Sequence, residues 1–344
     1  MTHKIVIKVI LLSALCFVFT GCKDKKIPEA AAEIIIEAEA EVEEEQVQAE
    51  PEKPEESAAV RVSYQTSRPL SGLSGKLPRY GVNVSEIDPV NYKDADLDVL
   101  RQMGADPYLI SFLTGEDHYR AGNYDRAIYE YTISINSNNA FIESLISRGN
   151  TWLKKREYAR AIEDYSGAIK LDGTKAELYN YRGYARAERG ETKQAIDDFS
   201  RAIALNANYT DALINRAHAL YDIKDYDKAI EDCTRIIKLE PANASIWNRR
   251  GSAWYRKEND ELAINDFTEA IRIKSDYAIA WHNRGNAWYN RGEIDKALAD
   301  LNRAIAINPS LASAYISRGN ILQLMGSLDS AEADFAEAQR LRNR

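Results

Sequence analysis

The stretch HNRGNAWYNRGEIDKALADLNRAIAINP, His282 to Pro309, carries the pattern that decides the fold. Its apolar residues recur at intervals of three and four, the spacing of one face of a helix. Gly292 interrupts it near the middle, where a helix that ends in a left-handed residue takes glycine. The stretch therefore reads as a helix, a tight turn and a second helix. One such pair cannot bury its apolar face alone, so it has to stack on others. The chain supplies them. Gly115, Gly149, Gly183, Ala217, Gly251, Gly285 and Gly319 stand 34 residues apart, and so do Ala127, Ala161, Ala195, Ala229, Ala263, Ala297 and Ala331.

Bulky residues keep the same period. Tyr179, Trp247, Trp281 and Tyr315 come four residues before the Gly/Ala column, and Tyr131, Tyr165, Phe199, Phe267 and Phe335 come four after the Ala column. The two small columns let paired helices approach closely. Gly122, Gly190, Gly292 and Gly326 end first helices. Asp125, Asp227, Asp295 and Asp329, three residues further on, are expected to cap second helices. The last unit differs where a following unit would touch it. Glu332 replaces the Ile or Leu of Ile128, Ile162, Ile196, Ile230, Ile264 and Leu298, and Gln339 replaces the Ile of Ile135, Ile169, Ile203, Ile237, Ile271 and Ile305. Asp106-Pro107 is expected to start the first helix of the series.

A 34-residue period with small residues at these two places resembles the tetratricopeptide repeat, an antiparallel helix pair. The resemblance covers 108–344, seven units in register. It implies an all-α fold, a right-handed α-solenoid of about seven hairpins, with a capping helix over 92–107. Composition agrees: 45% of the 344 residues are hydrophobic, and Gly (17) and Pro (9) are too scarce for a turn-rich β fold.

An Arg precedes the small column in six units (Arg148, Arg182, Arg216, Arg250, Arg284, Arg318), and an Asp follows sixteen residues later (Asp164, Asp198, Asp232, Asp266, Asp300, Asp334). Both lie eight residues from the turn, so they sit level on the two helices of a hairpin and are expected to pair there rather than bind phosphate. A net charge of -8 also argues against nucleic acid. No catalytic or metal constellation emerges: His118, His218 and His282 are dispersed, and the three cysteines, Cys16, Cys22 and Cys233, have no zinc or disulfide spacing. Cys233 takes the place of a core aromatic and is expected to be buried and inert. Neither an enzymatic activity nor a cofactor is expected.

The first residues carry a different message. Two lysines precede an apolar run from Val9 to Phe19, too short for a bilayer span and of the length of a signal-peptide core. It ends in Phe19-Thr20-Gly21-Cys22, which resembles the lipobox of bacterial lipoproteins, with Phe19 where that family usually has Leu. The resemblance implies a signal peptide over 1–21, cleavage before Cys22, and lipid, palmitate included, on Cys22. An ordinary secretory signal or an uncleaved anchor is the alternative. Lys23 follows, not the Asp that retains such proteins at the inner membrane, so the expected location is the outer membrane, facing the periplasm. Residues 22–91 read as an acidic flexible tether, with twelve Glu against one Lys in 27–56.

Within the repeat family, first helices line the concave groove through their second, fifth, ninth, twelfth and thirteenth positions. Carried over, the resemblance puts Asn150, Asn180, Tyr184, Tyr221, Asn248, Tyr255, His282, Asn286, Tyr289 and Asn320 there. Asn donates to and accepts from a peptide backbone, and Tyr offers rigid apolar area with a polar tip. The implied function is a protein-interaction scaffold or adaptor of the cell envelope, holding a partner protein or peptide in the groove. The other reading is a periplasmic accessory subunit of a solute-uptake system with a hydrophobic small ligand. A continuous apolar channel would favour the second; a wet Tyr/Asn groove favours the first.

Overall fold

A computed structural model describes Leu97, Arg101 and residues 104–343. The expected signal peptide, Cys22, the tether and most of the capping segment lie outside these residues. Fourteen helices follow one another among the described residues: α1 (Pro107–Arg120), α2 (Tyr124–Ser137), α3 (Ile142–Lys154), α4 (Tyr158–Leu171), α5 (Ala176–Glu188), α6 (Thr192–Leu205), α7 (Thr210–Asp222), α8 (Tyr226–Leu239), α9 (Ala244–Arg256), α10 (Asp260–Ile273), α11 (Ala278–Asn290), α12 (Ile294–Ile307), α13 (Ala312–Leu324) and α14 (Leu328–Arg342). Each odd helix packs on the even helix after it, and each even helix on the next odd one. The result is an all-α solenoid of seven hairpins. Successive first helices also touch one another, more than successive second helices do. That asymmetry curves the stack with the first helices on the inner side.

The columns of the sequence have plain physical causes. A Cβ built on Gly251 would stand 2.7 Å from the Phe267 ring, closer than real carbon atoms approach. Gly115, Gly149, Gly183 and Gly319 face Tyr131, Tyr165, Phe199 and Phe335 in the same way. The one alanine in the column, Ala217, belongs to the hairpin whose second helix carries Cys233 at the aromatic place. Ala217 and Cys233 are both fully buried. The smaller sulfur leaves room for the extra methyl, so the two exceptions compensate each other.

The turn inside each hairpin requires a left-handed residue. Gly122, Gly190, Gly292 and Gly326 take it with φ of 75°, 79°, 76° and 78°. Arg156, Lys224 and Glu258 take it in three other hairpins at φ of 58°, 63° and 58°, against the steric preference of a side chain. The second helix starts two residues after this point. Its N-cap is therefore Asn123, Glu157, Glu191, Asp225, Asn259, Glu293 or Ser327. Asp125, Asp227, Asp295 and Asp329 are not the caps. They lie inside the first turn, where a carboxylate still favours the positive end of the helix dipole. Asp125 and Asp227 also pair with Lys155 and Lys257 of the following hairpin.

Between hairpins, aromatic residues hold the connecting turn. Trp247 Nε1 donates to Pro241 O and Trp281 Nε1 to Ser275 O, both at 3.0 Å. The two ends of the described stack differ from its middle. Glu332 and Gln339 are exposed. At the other end Leu97 is helical and buried with Leu109, Phe112 and Leu113 of the first hairpin, and Asp106 is the N-cap of α1 with proline in its first turn.

Candidate functional site

The periodic arginines are structural. All six form two-pronged pairs with their aspartates: in the fifth pair, Arg284 Nε lies 2.7 Å from Asp300 Oδ2 and Nη2 lies 2.9 Å from Oδ1. The others repeat this geometry. A third bond crosses to the preceding hairpin. Nη1 of Arg148, Arg182, Arg216, Arg250, Arg284 and Arg318 donates to Thr132, Ser166, Ser200, Thr234, Thr268 and Asn302 in turn. This hydroxyl and amide column is also spaced by 34, and Ala336 stands at its place in the seventh hairpin. Each guanidinium thus ties one hairpin together and fastens it to its neighbour. Its charge is met by the aspartate and all three of its nitrogens already donate within the protein, so it serves the fold rather than a free anion.

The inner surface sorts by helix position. Fifth-position residues turn toward the sixth position of the next first helix, 35 residues on. Asn215 Nδ2 donates to Asn180 Oδ1 at 2.9 Å, and Asn283 Nδ2 to Asn248 Oδ1 at 3.1 Å. Asn180 is wholly buried, with its amide also donating to Tyr209 OH, and Asn248 is nearly so. Neither faces an open groove, contrary to the expectation from the repeat resemblance. The reason is that first helices approach each other on this side, so the fifth position falls in the seam between them.

His282 belongs to the same seam. Asn286 Nδ2 lies 3.2 Å from its Nε2, and Ser317 Oγ lies 3.1 Å from it. Nδ1 lies 3.2 Å from Asn283 Oδ1. Asn283 gives its amide protons to Asn248, so its Oδ1 faces His282 as an acceptor. Nδ1 therefore carries the imidazole proton and Nε2 accepts. Burial holds the His282 pKa down to about 4, so the ring stays neutral at physiological pH. His218 is also driven well below the usual histidine value, by burial and then by the charge of Arg249. Burial pushes the Cys233 thiol up to about 12, which makes it inert as expected.

Ninth and twelfth positions remain partly exposed. Asn150 accepts from Tyr165 OH at 2.7 Å. Tyr184 packs with the cluster around Tyr165 and Tyr181. Tyr221 accepts from Arg256 Nε at 3.2 Å and stacks edge-on with Tyr226. Tyr255 rests beside Trp254 and Trp288, and Tyr289 beside Trp288 and Leu301. Asn286 sits one turn from Tyr289 on α11, and Asn320 holds the same place on α13, where Gln323 stands in place of the tyrosine. The sixth-position residues Asn215, Asn283, Ser317 and Arg249 escaped the sequence reading, although polar residues at a 34-residue spacing on a helix flank were visible there. Among the described residues no three His, Cys, Asp or Glu side chains are grouped to hold a metal ion, and no helix is long and apolar enough to cross a membrane.

Known proteins place this architecture. Models described as tetratricopeptide repeat match residues 147–210, 210–243 and 312–344, and one described as TPR repeat matches 285–326. No curated protein matches the sequence. A tetratricopeptide repeat protein from Parabacteroides merdae superposes with a TM-score of 0.56 at 18% identity, over 68% of this chain and 93% of its own. The C-terminal part of a TPR repeat-containing protein from Cytophaga hutchinsonii gives 0.56 at 14% identity, over 67% and 93%. At such identities the likeness speaks to the fold. With four repeat models on its sequence and seven hairpins stacked as those repeats stack, the chain is a tetratricopeptide-repeat protein.

Proposed function

We propose that the chain is a protein-interaction scaffold that holds an extended segment of a partner against the first helices of its fifth and sixth repeats. One observation carries the reading: Tyr255 and Tyr289 lie partly exposed in the same position of neighbouring first helices, with the partly exposed Asn286 one turn before Tyr289 on α11. Trp254 and Trp288 back this surface and fix its walls. A row of rigid rings with amides between them suits a peptide backbone. The seam beneath it, Asn248, Asn283, His282 and Ser317, is polar and internally bonded. It offers no apolar channel for a greasy small molecule. The experiment is crosslinking in cells followed by mass spectrometry, with cross-links mapped on the chain. Cross-links concentrated on α9, α11 and α13 support the reading, and cross-links confined to the second helices or the tether contradict it.

The proposal extends to location. The lipobox-like Thr20-Gly21-Cys22 supports a lipid-anchored protein of the bacterial envelope, with the Glu-rich segment as its spacer. Cys22→Ser is expected to move the protein from the membrane to the soluble fraction. Membrane retention of that variant would argue for an uncleaved anchor.

A further inference from the structure

The ninth position of the first helix is an asparagine in the second and the sixth repeat, Asn150 and Asn286. An amide has an accepting end and a donating end, and a neighbour that takes one leaves the other for the groove. In the second repeat the neighbour is Tyr165. Its hydroxyl donates to Asn150 Oδ1 at 2.7 Å, so Asn150 keeps its NH2 end. In the sixth repeat the neighbour is His282. Asn286 Nδ2 is directed at His282 Nε2, 3.2 Å away, so Asn286 keeps its oxygen. Asn286 is partly exposed, and its Oδ1 is neither bonded nor buried among the described residues.

The orientation is set from the seam. Asn283 Nδ2 donates to Asn248 Oδ1, which turns Asn283 Oδ1 toward His282 Nδ1 at 3.2 Å. Two acceptors do not face each other, so Nδ1 holds the proton and Nε2 offers a lone pair. Ser317 Oγ, 3.1 Å from Nε2, donates there too. The relay Asn286–His282–Asn283–Asn248 therefore runs in one direction, and reversing one member reverses them all. Two repeats earlier the same asparagine pair exists, with Asn215 Nδ2 on Asn180 Oδ1 at 2.9 Å. There Ile214 stands in the place of His282, and His218 in the place of Asn286. The relay stops, and Asn215 Oδ1 and His218 Nε2 are buried with no hydrogen-bond partner. Of the two repeats, the sixth alone couples its seam to the groove.

We infer that His282 is a positioning residue for recognition: it holds the Asn286 amide with its oxygen toward the groove, where it accepts one backbone N–H of the bound segment. This rests on the groove reading above and names the chemistry of the ligand at one point. A proline there has no N–H to give and is excluded from that place in the partner. At Asn150 the polarity is opposite, and a segment reaching the second repeat meets a donor instead.

The first test needs no ligand. The histidine rings of the full chain are labelled with nitrogen-15, and the His282 signals are assigned by their absence in His282→Gln. A protonated Nδ1 and a bare Nε2 at neutral pH are expected. A proton on Nε2, given to Ser317 Oγ or to the Ser313 carbonyl beside the ring, would reverse the relay and overturn the assignment. The second test measures retention by the full chain of two random ten-residue libraries with blocked ends. One is made of peptides and the other of the matching esters, which keep the carbonyls and lack the N–H groups. Wild type is expected to prefer peptide to ester. The ratio should fall about fivefold in Asn286→Leu and in His282→Leu, the ordinary worth of one hydrogen bond. His282→Gln, whose amide can accept from Asn286 and donate to Asn283, should restore it. A histidine that only packs would change retention of both libraries together and leave their ratio as it is. That result, or an undiminished ratio in Asn286→Leu, overturns the positioning role and leaves the groove reading standing. If wild type retains neither library above Asn286→Ala with Tyr289→Ala, both readings fall.

Discussion

Two interfaces join each repeat to the next, and they are built on opposite principles. Where a second helix meets the following first helix, the same Arg–Asp pair and the same hydroxyl or amide acceptor recur at six junctions. Where two first helices meet, the contact differs from junction to junction: Asn180 with Asn215, Asn248 with Asn283, His282 with Ser317. The uniform interface solves one problem six times, fixing the angle at which hairpins stack. The varied interface lies beside the surface that a partner would meet, and differences there give each stretch of the groove its own chemistry. Repetition builds the scaffold, and departures from it mark where the scaffold differs locally.

The uniform interface should break first. Asp266→Ala leaves Arg250 partly buried and without its carboxylate, and removal of one member of such a pair costs about 3 kcal/mol. The helical signal should melt earlier, with hydrogen exchange fastest in α9 and α10. An unchanged melt would mean that the pair is ornamental and the stacking is held by apolar contact alone.

The varied interface is expected to respond to acid. His282 titrates near 6.5 when unfolded and at about 4 when folded. The unfolded chain thus binds more protons between these values. Its contribution to stability is complete above about pH 6.5 and is lost as pH falls toward 4. From pH 7 to pH 5 the loss is about 2 kcal/mol from this residue, and His218 adds to it in the same direction. Urea unfolding at the two pH values measures it, and His282→Asn should flatten the difference. Equal stability of wild type at both values would place the imidazole in contact with water.

Gly251→Ala sharpens the comparison inside a hairpin. The added methyl meets the Phe267 ring and should cost about 2 kcal/mol. The same methyl is already present at Ala217, opposite Cys233, at no cost. Smallest is the turn: Lys224→Gly relieves a left-handed side chain at φ 63° and should stabilise by about 0.5 kcal/mol, after the greater freedom of unfolded glycine is offset. A lower melting temperature for that variant would locate a contact of the Lys224 side chain that outweighs the strain.

The sequence displayed the solenoid because spacing is a one-dimensional signal. Columns of Gly, Ala, aromatic, Arg and Asp residues at 34 residues declare hairpins, close approach and level pairing without coordinates. It did not display which side of a first helix closes against its neighbour. Asn180 and Asn248 share a helical face with residues that stay open, and only the tilt of one first helix on the next decides that they are covered. The capping error at Asp125 has a similar origin, since a single left-handed residue sets where the next helix begins.

The claim that the changed residues of the inner surface do the binding is tested most directly by one affinity. The crosslinked partner is titrated against the full chain and against Asn286→Ala with Tyr289→Ala. Tyr289 packs partly on Leu301, so the comparison is made at a temperature where circular dichroism shows both proteins folded. The account predicts that the variant binds about thirtyfold more weakly, the effect of losing roughly 2 kcal/mol at an aromatic anchor. Wild-type affinity in the folded variant would contradict it and move the binding surface to the second helices or the tether.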